Sequence, residues 1–148
     1  MLETQLQIFI DGAVRYFKHI NCKDVSIGTP YLAENSTPMA FDFTGIIGIS
    51  GPNKGCVYFT APSALLKHLL MSMGEMETHE ENIIDLVGEV ANTISGNARS
   101  EFGPEFMISV PVMMQGAPNS LHFPKDLRSY VIPIYWKAYS AAVVICLQ

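Results

Sequence analysis

Cysteine is scarce in this chain. Cys22, Cys56 and Cys146 are odd in number and far apart. No C-x-x-C pair occurs, so neither a disulfide framework nor a zinc site is indicated, and a reducing cytoplasm fits. No stretch approaches the ~20 apolar residues of a membrane span. Met1-Leu2-Glu3-Thr4-Gln5 lacks the positive region and apolar core of a targeting signal. Charged residues are 16% of the total and sum to −5, with no run of one sign. That balance argues against nucleic acid, whose usual mark is a basic patch. Several catalytic motifs are also missing. There is no G-x-S-x-G, no cysteine in a recognisable catalytic context, and no evident base for Ser95, so covalent catalysis is not expected. The S-G-P-N-K-G tract at 50–55 lacks the Walker spacing and its following Ser or Thr, and reads as a hairpin turn. His19, His68, His79 and His122 have no i, i+4 pairing, and residue 83 is Ile where H-E-x-x-H needs histidine. No protein-held metal is expected.

What is present is a globular composition, 49% hydrophobic over 148 residues. That suits one domain, 1–148, able to bury roughly 68–70% of its unfolded surface. Residues 3–20 carry Leu6, Phe9, Ile10, Ala13 and Phe17 at helical spacing, with Asp11, Arg15 and Lys18 off the stripe. Residues 25–32 read as a strand, and Pro30 within it implies an edge or a bulge. A polar connection over 33–39 leads to an apolar strand over 40–50, the turn at 51–55 and a returning strand over 56–60. Pro62 and Ser63 open a second helix that stops near Gly74. Later strands are expected over 107–114, 130–136 and 140–147, the last two forming a hairpin around Lys137-Ala138. Both faces of that hairpin are apolar, which implies cover on each side or an oligomer. The order helix, proline-bearing strand, hairpin occurs in 3–60 and again in 78–147. The expected fold is therefore α/β of the α+β type: helices on a largely antiparallel sheet, with an internal helix–strand–hairpin pseudo-repeat.

Residues 78–103 organise the rest. Ile83, Ile84, Val87, Val90, Ala91, Ile94 and Ala98 form one apolar stripe. Thr78 with Glu81 reads as a capping box, and Gly103-Pro104 as the stop. The opposite face carries Asp85, Gly88, Glu89, Asn92, Gly96 and Arg99. Glu89 and Asn92 are neighbours, three residues apart. The two glycines each cost about 1 kcal/mol against alanine. They either let another surface approach the helix or relieve crowding within the domain.

The string G-E-V-A-N-T-I-S-G-N-A at 88–98 resembles the E-x-x-N signature of the CheC/CheX/FliY phosphatases, and looks most like CheX. The resemblance implies a CheC-like fold and hydrolysis of the aspartyl phosphate on a CheY-type receiver domain. It implies that Asn92 positions water and that Glu89 pairs with the regulator's lysine. The regulator would bring Mg²⁺, so the chain needs no cofactor of its own. Asp85, Gly88, Gly96 and Arg99 are then the candidate partner-facing residues. The chemistry is coherent. An aspartyl phosphate is already activated and needs an in-line water more than a strong base. A neutral amide can orient that water, where an Asp at position 92 would repel the phosphoryl oxygens. In the first half, Asp11-Gly12-Ala13-Val14 would match Glu89-Val90-Ala91-Asn92, a carboxylate without the amide. The resemblance also implies a homodimer formed through sheet edges, for which 130–136 and 140–147 are the candidates. The rival functions are a non-catalytic module that binds a response regulator or flagellar motor component, and a dimerisation or scaffolding domain.

Overall fold

A computed structural model describes residues 3–35, 38–118 and 128–148. His122 and the connection at 119–127 lie outside the described residues, as do positions 36 and 37. Helix α1 (Glu3–His19) buries Phe9, Ala13, Tyr16 and Phe17. Asn21 then takes a left-handed φ of 59° and ends it. Helix α2 (Ser63–Ser72) starts after Pro62, whose φ of −68° is already that of a helix. It closes with Gly74 at φ 86°. The Glu75 N–H reaches Leu70 O at 3.0 Å and the Gly74 N–H reaches Met71 O at 3.1 Å, a Schellman close. Helix α3 (Glu80–Phe102) starts one residue later than the capping pattern suggests. The cap is His79, not Thr78, and its partner is Asn82 rather than Glu81. Asn82 Oδ1 takes the His79 N–H at 3.2 Å, and the Asn82 N–H reaches His79 O at 3.0 Å. Gly103 ends α3 as expected.

The strands are β1 (Val25–Ile27), β2 (Tyr31–Glu34), β3 (Phe43–Ser50), β4 (Gly55–Ala61), β5 (Met107–Ile108), β6 (Val112–Gln115), β7 (Arg128–Trp136) and β8 (Tyr139–Leu147). They form one sheet in the order β1-β7-β8-β4-β3-β5, with β2 also on β7 and β6 also on β3. Every pairing is antiparallel. The single strand expected at 25–32 is two strands, and so is the one at 107–114. The prolines are the cause. Pro30 and Pro111 cannot donate to a ladder, and each sits in an extra residue of bulge.

The pseudo-repeat is visible in the register. Ile27 faces Ile134 just as Ile108 faces Ile49, and Tyr31 faces Val131 just as Val112 faces Ile46. At each bulge an N–H bonds back to the partner strand: Gly28 to Pro133 O and Ser109 to Gly48 O, both at 2.9 Å. Each half thus lends its interrupted strand to the hairpin of the other half. The halves meet where β4 lies beside β8, with Tyr58 facing Val144.

Alternation sorts the strands into two buried faces. Ile47, Val57, Phe59, Ile132, Ile134, Val143 and Ile145 point toward the helices. Ile46, Cys56, Tyr58, Val131, Val144 and Cys146 point the other way, under Ala33, Met39, Phe41 and Met114. The apolarity of both faces of the β7–β8 hairpin is therefore satisfied inside the domain. This also corrects the expected dimer edge. β7 and β8 are interior strands, and the edges among the described residues are β1 with β2 and β5 with β6.

Candidate active site

The seat of α3 is made by two glycines from different elements. A methyl on Gly45 of β3 would stand 2.6 Å from Val87 O and 3.1 Å from Gly88 Cα. A methyl on Gly88 would stand 2.6 Å from Met113 Sδ. Helix and strand backbones therefore touch here, and the contact fixes the rotation of α3. Gly88 is buried. It is not on the solvent face that its spacing suggests, and its place is set by packing within the domain. Gly96, two turns on, has nothing within 4 Å of a methyl placed on it. One glycine relieves crowding and the other faces open space.

With α3 so seated, Asp85, Glu89 and Asn92 are exposed on one side of the helix. None of the three makes a side-chain hydrogen bond or ion pair among the described residues. The polar residues around them are otherwise engaged. Asn97 Nδ2 donates to Gly12 O at 3.1 Å and fastens α3 to α1. Ser100 Oγ donates to Gly96 O at 3.2 Å. Arg99 Nε donates to Phe106 O at 2.8 Å and its Nη2 to Pro104 O at 3.3 Å, so its guanidinium ties down the turn into β5.

The candidate residues do not all converge. Asp85 and Glu89 line a cleft of about 340 Å³ with the end of α2, beside Leu70, Met73 and Glu75. Gly96 and Arg99 line a different cleft of about 520 Å³ against Pro104, Met107 and Ile108. Asp85 and Arg99 are roughly 21 Å apart along the axis, at 1.5 Å per residue. The structure therefore brings together Asp85, Glu89 and Asn92, leaves Gly96 and Arg99 further along, and removes Gly88 from the surface.

Tyr16 belongs beside this group and is not evident from the spacing of the site motif. α1 runs antiparallel to α3: Phe9 meets Phe102, with ring centres 5.6 Å apart, and Gly12 meets Ile94 and Ala98. This puts Tyr16 level with the start of the signature. Its hydroxyl is buried and has no hydrogen-bond partner among the described residues. Burial pushes the phenol pKa up, and the negative charge of Glu89 pushes it further. The sequence signal for Tyr16 was its place three residues after Ala13 on the stripe of α1.

Against this geometry stand the comparisons with known proteins. The family model described as chemotaxis phosphatase CheX matches residues 43–135, which include the whole of α3. The chain belongs to the CheX family. A CheC-like superfamily protein from Shewanella sp. PV-4 is 27% identical, with a TM-score of 0.82, covering 100% of this chain and 99% of the other. CheX from Vibrio vulnificus has the same fold, at 22% identity and a TM-score of 0.80, covering 98% and 99%. The CheX of a CheX–CheY–BeF3–Mg complex from Borrelia burgdorferi also shares it, at 17% identity and 0.78, covering 97% of each chain. No curated protein matches. The helices-on-antiparallel-sheet architecture is thus that of the CheX and CheC-like proteins.

Among the described residues, no group of three or more His, Cys, Asp or Glu is arranged to hold a metal ion. No helix there is long and apolar enough to cross a membrane. His68 has a structural setting instead. Its ring packs on Trp136, with centres 4.9 Å apart, and its Nδ1 lies 3.4 Å from the Tyr139 hydroxyl.

Proposed function

We propose that this CheX-family domain hydrolyses the aspartyl phosphate of a CheY-type receiver domain. The observation that carries the reading is the exposure of Glu89 and Asn92 side by side on α3, with neither side chain bonded to another described residue. Asn92 orients the attacking water in line with the phosphoryl group. Glu89 grips a cationic side chain of the receiver, the lysine of its phosphorylation site. Asp85, one turn earlier, adds negative charge on the same side, and Gly96 leaves room for the partner to approach the helix. Arg99 contributes by holding the turn at 103–106. Mg²⁺ arrives with the receiver, whose carboxylates and phosphoryl oxygens are the hard oxygen ligands it prefers. The site of action is then the cytoplasm, where such regulators work. The homodimer of this reading uses an edge strand, β2 or β6, since among the described residues each pairs on one side only.

Phosphate release from a phosphorylated receiver tests this. Asn92→Ala is expected to lower kcat about a hundredfold or more while partner affinity stays within ~2-fold, because orientation of water matters only in the transition state. Glu89→Ala is expected to weaken binding as well, by ~1–3 kcal/mol. Wild-type turnover in Asn92→Ala, with binding retained, would leave a non-catalytic receiver-binding module in its place.

A further inference from the structure

The surface around Glu89 and Asn92 is divided by charge. On one flank, the residues after α2 and the first turn of α3 carry Glu75, Glu77, Glu80 and Glu81, all exposed. On the other, the last turns of α1 carry Arg15, Lys18 and His19, also exposed. These three line a cleft of about 410 Å³ with Tyr16, Thr93 and Asn97. Thr93 stands one helical turn after Glu89, so the basic cleft borders the proposed catalytic pair.

Two observations separate this patch from an ordinary solvated helix end. The first is its charge on a chain of net charge −5. Neither Arg15 nor Lys18 enters an ion pair among the described residues, where the pairs present are His79–Glu77 and Lys137–Asp24. Lys18 and His19 lie in the last turn and offset the helix dipole. That accounts for those two and leaves Arg15, a turn earlier, unexplained. The second is Tyr16, which walls the cleft, is 3% exposed, and has an unpaired hydroxyl. A buried unpaired donor is costly, so the wall of this cleft is not an ordinary satisfied core surface.

We propose that Arg15, Lys18 and His19 form the docking surface for the acidic rim of the receiver domain, and that the charge division fixes the orientation in which the phosphorylated edge meets Asn92. This deepens the phosphatase reading and rests on it. The receiver is favoured by complementarity. An aspartyl phosphate and the carboxylates that hold Mg²⁺ make the rim of its site negative. Such a rim is attracted to α1 and repelled by the acidic start of α3. Docked the other way round, like charges meet, which suppresses the wrong register.

The test pairs Arg15→Glu with Lys18→Glu, and uses Arg15→Gln with Lys18→Gln as the milder pair in case the reversal does not fold. Each is titrated with a CheY-type receiver in its beryllofluoride–Mg²⁺ form. The reversal is expected to weaken binding about tenfold at ~50 mM salt, and the neutral pair about threefold. Both deficits should shrink to within ~2-fold at ~500 mM salt, where exposed charges are screened. In phosphate release the loss should fall on KM rather than on kcat. Unchanged affinity at low salt in both variants overturns the proposal. If Asn92→Ala has meanwhile lost turnover, the phosphatase reading stands without the patch. If Asn92→Ala keeps turnover, it is that reading which has failed.

Discussion

The two halves of the sheet are built alike, yet their helices are seated differently. β3 carries Gly45 where the register of the second half puts Tyr130 on β7, since Ile46 faces Val112 as Val131 faces Tyr31. The missing side chain lets α3 lie with its backbone against β3. α1 instead packs on α3, through Gly12 against Ile94 and Ala98. The surfaces differ too. α1 presents Asp11 and Val14, both exposed, and Asp11 accepts a bond from Gln7 Nε2 at 2.8 Å. α3 presents Glu89 and Asn92 with no internal partner among the described residues. Shared architecture is thus enforced by what is buried, while the two helices differ at exposed positions that the fold leaves open, and the proposed chemistry would rest on those. The helix that carries the proposed site is the one whose backbone lies against the sheet.

The largest expected contrast between the halves is in turnover. Asn92→Ala on α3 should cost about a hundredfold or more in phosphate release, whereas Asp11→Ala on α1 should stay within ~2-fold. Asp11 has no amide three residues on, because Val14 stands there. Equal losses in the two variants would mean that both helices act, and the asymmetry drawn above would fall.

Gly45→Ala is the next largest. The added methyl meets a backbone carbonyl, Val87 O, at 2.6 Å, and a backbone cannot step aside as a side-chain end can. A loss of about 2–3 kcal/mol in urea unfolding is expected. Gly88→Ala should cost less, because the atom in the way belongs to a flexible methionine, Met113. Equal stability of Gly45→Ala and the parent would show that α3 is free to rise off the sheet.

How much of this was legible in the sequence follows from which forces are local. The helices and the pseudo-repeat show in periodicity and in the positions of Pro30 and Pro111, because bulges follow from a missing N–H. The pair Glu89 and Asn92 shows as well, since three-residue spacing on a helix fixes adjacency. The cap moved from Thr78 to His79 because Asn82, rather than Glu81, reaches back to the N–H three residues before it, and histidine is not among the preferred caps. The β7–β8 hairpin misled as an edge. Its two apolar faces are in fact the mark of interior strands covered on both sides. Gly88 and Gly96 look the same in sequence. What separates them is Met113 and Gly45, brought from other elements, and spacing along one helix cannot supply that.

The seam between the halves gives a pH prediction. Cys56 on β4 faces Cys146 on β8. Burial, with Cys146 adding to it, pushes the Cys56 thiol from 9.0 up to about 12. The folded value lies above the unfolded one, so the unfolded chain loses this proton first. Stability is full below pH ~9 and declines as pH rises toward ~12, by up to about 1.4 kcal/mol per pH unit. Burial raises Tyr58 and Tyr16 in the same direction, so they add to the fall from pH ~10. Urea unfolding at pH 7.5 and 10.5 should therefore differ by about 2 kcal/mol from Cys56 alone. Cys56→Val should remove that share. An unchanged pH slope in Cys56→Val would place the alkaline weakness away from the seam.

The smallest expected effect concerns the second glycine of α3 and has opposite signs in two measurements. Gly96 lies within the helix with open space around it. Alanine there should stabilise the domain by about 0.5–1 kcal/mol, through lower entropy of the unfolded chain and better helix propensity. If Gly96 is kept as glycine so that the receiver can approach the backbone, the same methyl should weaken receiver binding about threefold while raising Tm. Urea unfolding and a titration with the beryllofluoride-loaded receiver on one preparation separate the two. Higher stability with unchanged affinity would place the partner's footprint nearer Asp85 and Glu89, away from the C-terminal half of α3. Lower stability would mean that Gly96 has a packing role inside the domain, like that of Gly88.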